Sequence, residues 1–243
     1  MLKKSLDKPS KKILSKVIAV IGCDGSGKST LTGDLYSKFH ARHTTELIYL
    51  GQSSGNIGQW IKELPVIGSP LGRFLDKKAK NAHNKKSSSP DNLTVLVIYL
   101  LSVWRAHKFR RMLKLARKGT MIITDRYPQA EIPGFYFDGT GLGALTADRW
   151  LIKKLIKREL RLYQWMASYV PTLLIRLNID AETAHARKPD HKLTMLQQKT
   201  TVIPRLNFNG AQILELDSTS PYEKVLESAS QAVAEALKIV HSV

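Results

Sequence analysis

The eight residues 22–29 constrain the fold more than any other part of the chain. They read Gly-Cys-Asp-Gly-Ser-Gly-Lys-Ser and match the phosphate-loop pattern G-x-x-x-x-G-K-[ST] at every specified position. Residues 16–21 before them form a β-branched apolar run of strand length, and the apolar residues after them recur at the spacing of one helical face. A strand, a glycine-rich loop and a helix in this order predict an α/β fold with an anion-binding loop at the first strand–helix junction.

The fixed residues of this phosphate loop (residues 22–29) predict contacts with a nucleotide. Its glycines let the backbone wrap around an anion, and its N–H groups and the following helix end favour phosphate. We expect Lys28 to reach the β- and γ-phosphates of ATP and the Ser29 hydroxyl to hold Mg²⁺. The alternative is a glycine-rich turn without a ligand. The predicted ATP-binding residues are Gly22, Gly25, Ser26, Gly27, Lys28, Ser29 and Thr30.

Asp125 is the second candidate for this site, because it follows the apolar run at residues 120–124. Phosphate-loop enzymes place the acid that positions Mg²⁺ at the end of such a strand. Ser29 and Asp125 are therefore the predicted metal residues, and Arg126 is expected to neutralise a phosphate or to pair with a carboxylate. The alternative for Asp125 is a carboxylate that caps a turn.

The remaining chain alternates between strand-like and helix-like segments. Apolar runs of strand length lie at residues 16–21, 45–50, 120–124, 171–179 and 211–216. Their alternation with helical patterns predicts the three-layer fold of P-loop NTPases, a parallel sheet flanked by helices. Ligands bind at the carboxyl ends of the strands in such sheets, so the phosphate loop and Asp125 should converge there.

The domain organisation follows from composition. Residues 1–15 are predicted to form a basic N-terminal tail, and residues 16–243 a single domain with an insert at 51–90 and a lid at 181–203. The apolar run at residues 93–104 is shorter than the roughly 20 residues needed to cross a bilayer, so we expect a buried helix there.

The net charge of +18, from 38 Lys and Arg against 20 Asp and Glu, implies an anionic partner. Much of this excess positive charge lies at residues 73–118 and 149–161. We expect these residues to form solvated helix faces. The alternative is that they contact nucleic acid or an anionic membrane surface. The single cysteine, Cys23, cannot form an internal disulfide, which favours a reducing, cytoplasmic location. Its position inside the phosphate loop favours a packing role, as a small residue that lines the turn, over a role as a redox sensor. The sequence does not decide between a monomer and a homodimer.

Three motifs resemble the thymidylate kinase family when they are taken in order. They are the phosphate loop with acidic Asp24, a helix containing Trp104-Arg105-Ala106-His107, and Asp125-Arg126-Tyr127. The resemblance implies a kinase that transfers the γ-phosphoryl group of ATP to a nucleoside monophosphate such as dTMP. It also implies that Asp24 lies near the acceptor sugar and the metal. In the same way, Arg105 and Arg126 would hold the acceptor, and Tyr127 would line its pocket.

The loops that would contact the acceptor depart from that family. Residues 51–55 read Gly-Gln-Ser-Ser-Gly where the family has a Glu-Pro-Gly-Gly-like loop, and residues 128–131 read Pro-Gln-Ala-Glu. A kinase for another small acceptor, such as a sugar or a polysaccharide-pathway metabolite, is therefore a second hypothesis. A non-kinase NTPase that binds a polyanion is the third.

Residues 184–201 occupy the place of the family's lid. Mobile cations there can stabilise the negative charge on a transferring phosphoryl group when the lid closes. Arg187 is the first candidate, Lys192 the second, and Lys188 is expected to assist; the alternative is a solvated basic helix. The predicted catalytic residues are Lys28, Asp24, Arg126 and Arg187.

Overall fold

The strands of the computed structural model form one five-stranded sheet and one short pair. The structure describes residues 11–51, 92–132, 135, 141–144 and 149–240. The strands are β1 (Lys12–Ile13), β2 (Val17–Gly22), β3 (Thr45–Tyr49), β4 (Met121–Asp125), β5 (Tyr169–Val170), β6 (Leu173–Asn178) and β7 (Ile213–Asp217). The main sheet has the order β3-β4-β2-β6-β7, and every pairing in it is parallel. The carboxyl ends of its strands therefore meet at one edge, which is where such sheets bind ligands.

Helices cover both faces of this sheet. They are α1 (Lys28–His40), α2 (Asn92–Arg117), α3 (Trp150–Ala167), α4 (Ala181–Arg187), α5 (Leu193–Val202) and α6 (Tyr222–Val240). Strand β2 is buried along its whole length, so its side chains contribute alternately to two cores. Ile18 and Val20 pack with residues of α1 and α6, whereas Val17 and Ala19 pack with residues of α2 and α3. The predicted three-layer α/β fold with a parallel sheet is confirmed.

The last residues of the predicted N-terminal tail belong to the folded domain. Strand β1 pairs in parallel with β5, and the Leu14 N–H donates to the Val170 carbonyl at 2.8 Å. Lys11 Nζ also donates to the Gly210 carbonyl at 2.6 Å. Backbone pairing with β5 therefore holds residues 12–14 against the folded domain, while the side chains of Lys11, Lys12 and Ile13 are exposed; the extent of the basic tail stays a prediction. Residues 1–10 of the tail lie outside the described residues.

The apolar run at residues 93–104 is part of α2 and is only partly buried. Val95 and Val97 are buried, but Leu96 and Trp104 are each 40% exposed. The expectation of a fully buried helix is therefore wrong on its outer side, since a helix packed on one face of a sheet keeps another side in water. Within the described residues, no helix is long and apolar enough to cross a membrane. The predicted insert lies outside the described residues beyond Gly51.

Candidate functional site

The phosphate loop connects the carboxyl end of β2 to the start of α1. Gly25 and Gly27 both adopt left-handed backbone conformations, with φ of 86° and 82°. A Cβ on Gly25 would lie 2.7 Å from the carbonyl oxygen of Ala184 in α4, whereas a Cβ on Gly27 would meet nothing within 4 Å. Glycine at position 25 thus serves two purposes, because it allows the turn and lets a neighbouring helix approach the loop.

Lys28 is the buried cation of this loop, with 5% of the residue exposed. Its Nζ donates to the Cys23 carbonyl at 2.6 Å and lies 4.0 Å from Asp24 Oδ1. Burial and the nearby Arg126 charge lower the pKa of Lys28 to about 8, although Asp24 and Asp125 oppose the shift. Anionic phosphate oxygens placed here would stabilise the charged form and strengthen the role expected for Lys28.

Ser29 and Asp125 meet at the carboxyl edge of the sheet, as the two motifs predicted. Ser29 Oγ donates to Asp125 Oδ2 at 2.7 Å. The other carboxylate oxygen, Asp125 Oδ1, is buried and accepts no hydrogen bond in the described structure, with Arg126 Nε 4.0 Å away. The exposed Ser29 hydroxyl beside the buried Asp125 carboxylate fits Mg²⁺, which prefers oxygen ligands, few protein groups and several waters. Among the described residues, no group of three or more His, Cys, Asp or Glu side chains could hold a metal by itself.

Asp24 lies at the centre of a cluster of cations. Arg126 Nη2 donates to its Oδ1 at 2.7 Å, and Lys199 Nζ donates to its Oδ2. His191 Nδ1 lies 3.7 Å from the same Oδ2. Burial opposes ionisation of Asp24, but the charges of Arg126, Lys199 and Lys28 outweigh it and hold the pKa of Asp24 well below its usual range. We call Lys28, Arg126 and Lys199 the cation cluster.

Lys199 is the residue of this cluster that the sequence analysis missed. It lies in α5 and is 4% exposed. It is three residues after buried Leu196 and four before the half-buried Ile203, so its position falls on the inner face of the helix. A lysine on an apolar helical face is the signal that could have identified it, because burying an ammonium group is costly unless it has an anionic partner.

Arg126 reaches Asp24 through an unusual backbone conformation. Its φ of 75° lies in the left-handed region, which carries strain for a residue with a side chain. Its backbone N–H is held by the Val20 carbonyl at 2.8 Å, at the end of the β2–β4 pairing. The guanidinium carbon also lies 5.9 Å from the centre of the Tyr49 ring. The strand end thus aims Arg126 at the phosphate loop.

The predicted lid comprises α4 and α5, which lie against the phosphate loop. Arg187 Nη2 donates to the Ser218 carbonyl at 3.1 Å, and its Nη1 donates to the Gly25 carbonyl at 3.4 Å. The loop and the lid enclose a cleft of about 580 Å³, whose lining includes Lys28, Arg187, Lys188 and Lys199. Lys192 is exposed at the start of α5 and is not part of this lining.

Arg105 and Tyr127 are not brought into the cleft. Arg105 is 3% exposed, and it donates to the Leu50 carbonyl at 2.9 Å and to the Tyr163 hydroxyl at 2.8 Å. Tyr127 is 1% exposed, and its hydroxyl donates to the Tyr169 carbonyl at 3.0 Å. Neither side chain is part of the lining of the described cleft, and their contacts with an acceptor stay predictions. The left-handed turn at the preceding residue directs the tyrosine back into the core between the sheet and α2.

Cys23 is a small buried residue beneath the loop. It is 2% exposed and packs with Ala184 and Leu196 of the lid. Burial raises the pKa of its thiol, and the Asp24 charge adds to this effect. A thiol held in its neutral form is a poor nucleophile, so the structure favours the packing role over redox sensing.

Two proteins of Escherichia coli strain K12 resemble this chain along most of their lengths. The protein described as "Uncharacterized ATP-binding protein YghS" is 59% identical over 222 residues, which are 91% of this chain and 94% of the relative. The protein described as "Uncharacterized ATP-binding protein YghR" is 45% identical over 226 residues, which are 93% of this chain and 90% of the relative. No family model matches the chain.

Proposed function

This chain belongs to the family of YghS and YghR, and from that membership we propose that its phosphate loop binds ATP. Both relatives carry "ATP-binding" in their descriptions, and the loop of this chain has the glycines, lysine and serine that such binding requires. In the complex, the backbone of residues 22–29 and Lys28 hold the phosphates. Ser29 and Asp125 hold Mg²⁺, which would shield the charge of the β- and γ-phosphates.

We further propose that the chain is a kinase that transfers the γ-phosphoryl group of ATP to a small acceptor. The observation that carries this proposal is the convergence of Arg126 and Lys199 on Asp24 beside the phosphate loop. An acceptor oxygen attacks the γ-phosphorus, the bond to the β–γ bridging oxygen breaks, and ADP leaves with the electron pair. Phosphoryl transfer needs positioning and charge stabilisation more than covalent chemistry, and this site supplies both.

An anionic acceptor fits the cation cluster best. Three cationic side chains lie within 4.0 Å of the single Asp24 carboxylate, which leaves a surplus of positive charge in the cleft. A nucleoside monophosphate such as dTMP, the acceptor that the resemblance to thymidylate kinase implies, brings a phosphate that matches this surplus. Its phosphate oxygen attacks without losing a proton, so the step needs no general base.

A sugar hydroxyl is the second candidate acceptor, with Asp24 orienting it. This reaction would transfer the hydroxyl proton to a base as the oxygen attacks phosphorus. The pKa of Asp24 is held well below its usual range, so the carboxylate is a weak base for that transfer. The electrostatics of the cleft therefore favour the nucleotide acceptor, while the departures at residues 51–55 and 128–131 favour the sugar.

The test combines purified protein, Mg-ATP and a panel of nucleoside monophosphates, nucleosides and sugars. ADP release is followed by a coupled assay, and products are identified by mass spectrometry. We expect one phosphorylated product, lost in Lys28→Ala and retained in Lys192→Ala, since Lys192 is exposed and outside the cleft lining. ADP release that no acceptor stimulates, but that DNA or anionic vesicles raise, would overturn the kinase in favour of a polyanion-dependent NTPase.

Arg126→Ala tests the proposed charge stabilisation. We expect turnover to fall by about 100-fold or more, because the guanidinium supplies preorganised positive charge in a buried site. Circular dichroism should show the fold retained. Near-normal turnover in this variant would remove Arg126 from the proposed mechanism.

A further inference from the structure

Helices α2 and α3 lie side by side and run in the same direction on one face of the sheet. Ser102 Oγ donates to Glu159 Oε1 at 2.6 Å, and farther along, Arg105 donates to the Tyr163 hydroxyl at 2.8 Å. Their inner sides form one core, so their outer sides form one continuous surface. The two helices have 26 and 18 residues, so the surface extends for roughly 39 Å along one helix and roughly 27 Å along the other.

The outer sides of these two helices carry many basic residues. Neither helix has an acidic residue other than Glu159, which is fully buried. Basic residues recur at separations of three or four positions, and this spacing places them in a stripe along each helix. We call eight of the exposed basic residues the basic face: Arg110, Lys114 and Arg117 of α2 with Lys153, Lys154, Lys157, Arg158 and Arg161 of α3.

A contact joins the two stripes of the basic face. The Arg110 guanidinium of α2 lies over the Trp165 ring of α3, with 5.1 Å between its carbon and the ring centre. Trp165 is one helical turn from Arg161. Arg110 of α2 and Arg161 of α3 are therefore close to each other across the two helices, and each raises the local potential felt by the other.

Exposed apolar side chains lie at one end of this face. Trp150 is 68% exposed and Leu151 is 53% exposed, at the first turn of α3. Trp150 borders a groove of about 380 Å³ that five basic residues of the same helix also line. Tryptophan beside lysine and arginine is the composition of segments that rest in the headgroup region of a bilayer.

We propose that the basic face docks on the surface of an anionic lipid membrane. An extended layer of anionic headgroups matches an extended set of exposed cations, and Trp150 and Leu151 provide the apolar contact that a purely ionic partner would not use. Residues 52–91 carry a net positive charge, since they contain seven Lys and Arg against three Asp and Glu. This proposal rests on the surface alone and is independent of the proposed kinase activity.

A nucleic acid suits the same surface less well. The Lys154 ammonium lies 5.5 Å above the Trp150 ring centre, so one face of this ring is already covered against a stacking base. Among the exposed side chains of α3, Gln164 and the indole N–H of Trp150 are the uncharged hydrogen-bonding groups. Nucleic-acid surfaces usually add several such groups to their lysines and arginines to position the sugar–phosphate backbone.

The test is flotation of the full chain with vesicles of phosphatidylcholine alone or with about 30% phosphatidylserine, a content that gives a strongly negative surface. We expect binding to the anionic vesicles only, and loss of that binding at high salt because screening weakens exposed charge pairs. The triple variant Lys153→Gln, Lys157→Gln, Arg161→Gln should reduce the partition coefficient by about a hundredfold.

A matched triple variant controls for net charge. Lys38→Gln, Arg42→Gln and Lys224→Gln remove the same charge from exposed positions on or beside α1 and α6, on the other side of the sheet. This control variant should keep most of its binding to anionic vesicles. Trp150→Ala should weaken vesicle binding although it leaves the net charge unchanged. Equal losses in both triple variants, no binding to anionic vesicles, or preferential binding to DNA or RNA through the α3 lysines would each overturn the proposal.

Discussion

Replacing Asp24 by Asn removes the negative charge that holds the cation cluster together. The Asp24 side chain is 11% exposed, and Arg126, Lys199 and Lys28 lie within 4.0 Å of it. Removing one partner of a buried ion pair typically costs about 3–5 kcal/mol, since the remaining charges lose their compensation. Asparagine keeps an oxygen that can accept from Arg126, so we expect the lower figure, about 3 kcal/mol of unfolding free energy.

For a chain of this size, each kcal/mol lowers the melting temperature by about 2–4 °C, which predicts a loss of about 6–12 °C for Asp24→Asn. Thermal and urea unfolding measure this loss without nucleotide. Asp190→Asn is the control, because its side chain is 74% exposed and the change should stay within about 0.5 kcal/mol. A melting temperature within about 2 °C of the wild type would refute the organising role of Asp24.

Asp24→Asn should also change how the stability of the protein depends on nucleotide and on pH. Bound triphosphate supplies the missing negative charge, so added Mg-ATP should raise the melting temperature of Asp24→Asn more than that of the wild type. The pKa of Asp24 is held below its ordinary value in the folded state, so its contribution is present above about pH 4 and is lost as the pH falls further. The stabilities of the two proteins should therefore converge in acid.

Three other predictions concern the phosphate loop and its metal. The Kd for a fluorescent ATP analogue should rise as the pH passes through about 8, because Lys28 then loses its proton; an unchanged Kd across this range would contradict the shift. Asp125→Asn should raise the Mg²⁺ concentration for half-maximal nucleotide binding by roughly 10–100-fold, and an unaltered Mg²⁺ dependence would exclude it as a metal residue. Gly25→Ala and Gly27→Ala should each lose about 1–2 kcal/mol from left-handed strain, but Gly25→Ala should lose more because its Cβ would meet Ala184; equal urea midpoints would argue against that contact.

The sequence predicted the fold because its signals were local and agreed with one another. The loop pattern lies between a β-branched run and an amphipathic helix, and β4, β6 and β7 of the main sheet end in Asp125, Asn178 and Asp217. Parallel pairing then requires the ends of β2 and β4 to meet, so the contact between Ser29 and Asp125 follows from the fold class. Arg187 likewise follows a strand and reaches the loop through α4.

Side-chain directions could not be predicted, because they depend on backbone details that a motif does not contain. Nothing in Asp-Arg-Tyr indicates that Arg126 adopts a left-handed conformation, yet this turn sends Tyr127 into the core. Lys199 was missed because a lysine in a basic segment looks like a solvated residue, and only the packing of α5 shows that it is buried. Lys192, seven residues earlier, has the same sequence character and is exposed.

The position of Cys23 gives the protein a built-in reporter of lid motion. It is the single cysteine of the sequence, and its Sγ lies 3.9 Å from the Leu196 carbonyl beneath the lid. A thiol reagent can react there only while α5 is displaced, so the rate of labelling measures how often the lid opens. The wild-type sequence can thus be used without an engineered cysteine to test whether Mg-ATP changes the rate of this labelling.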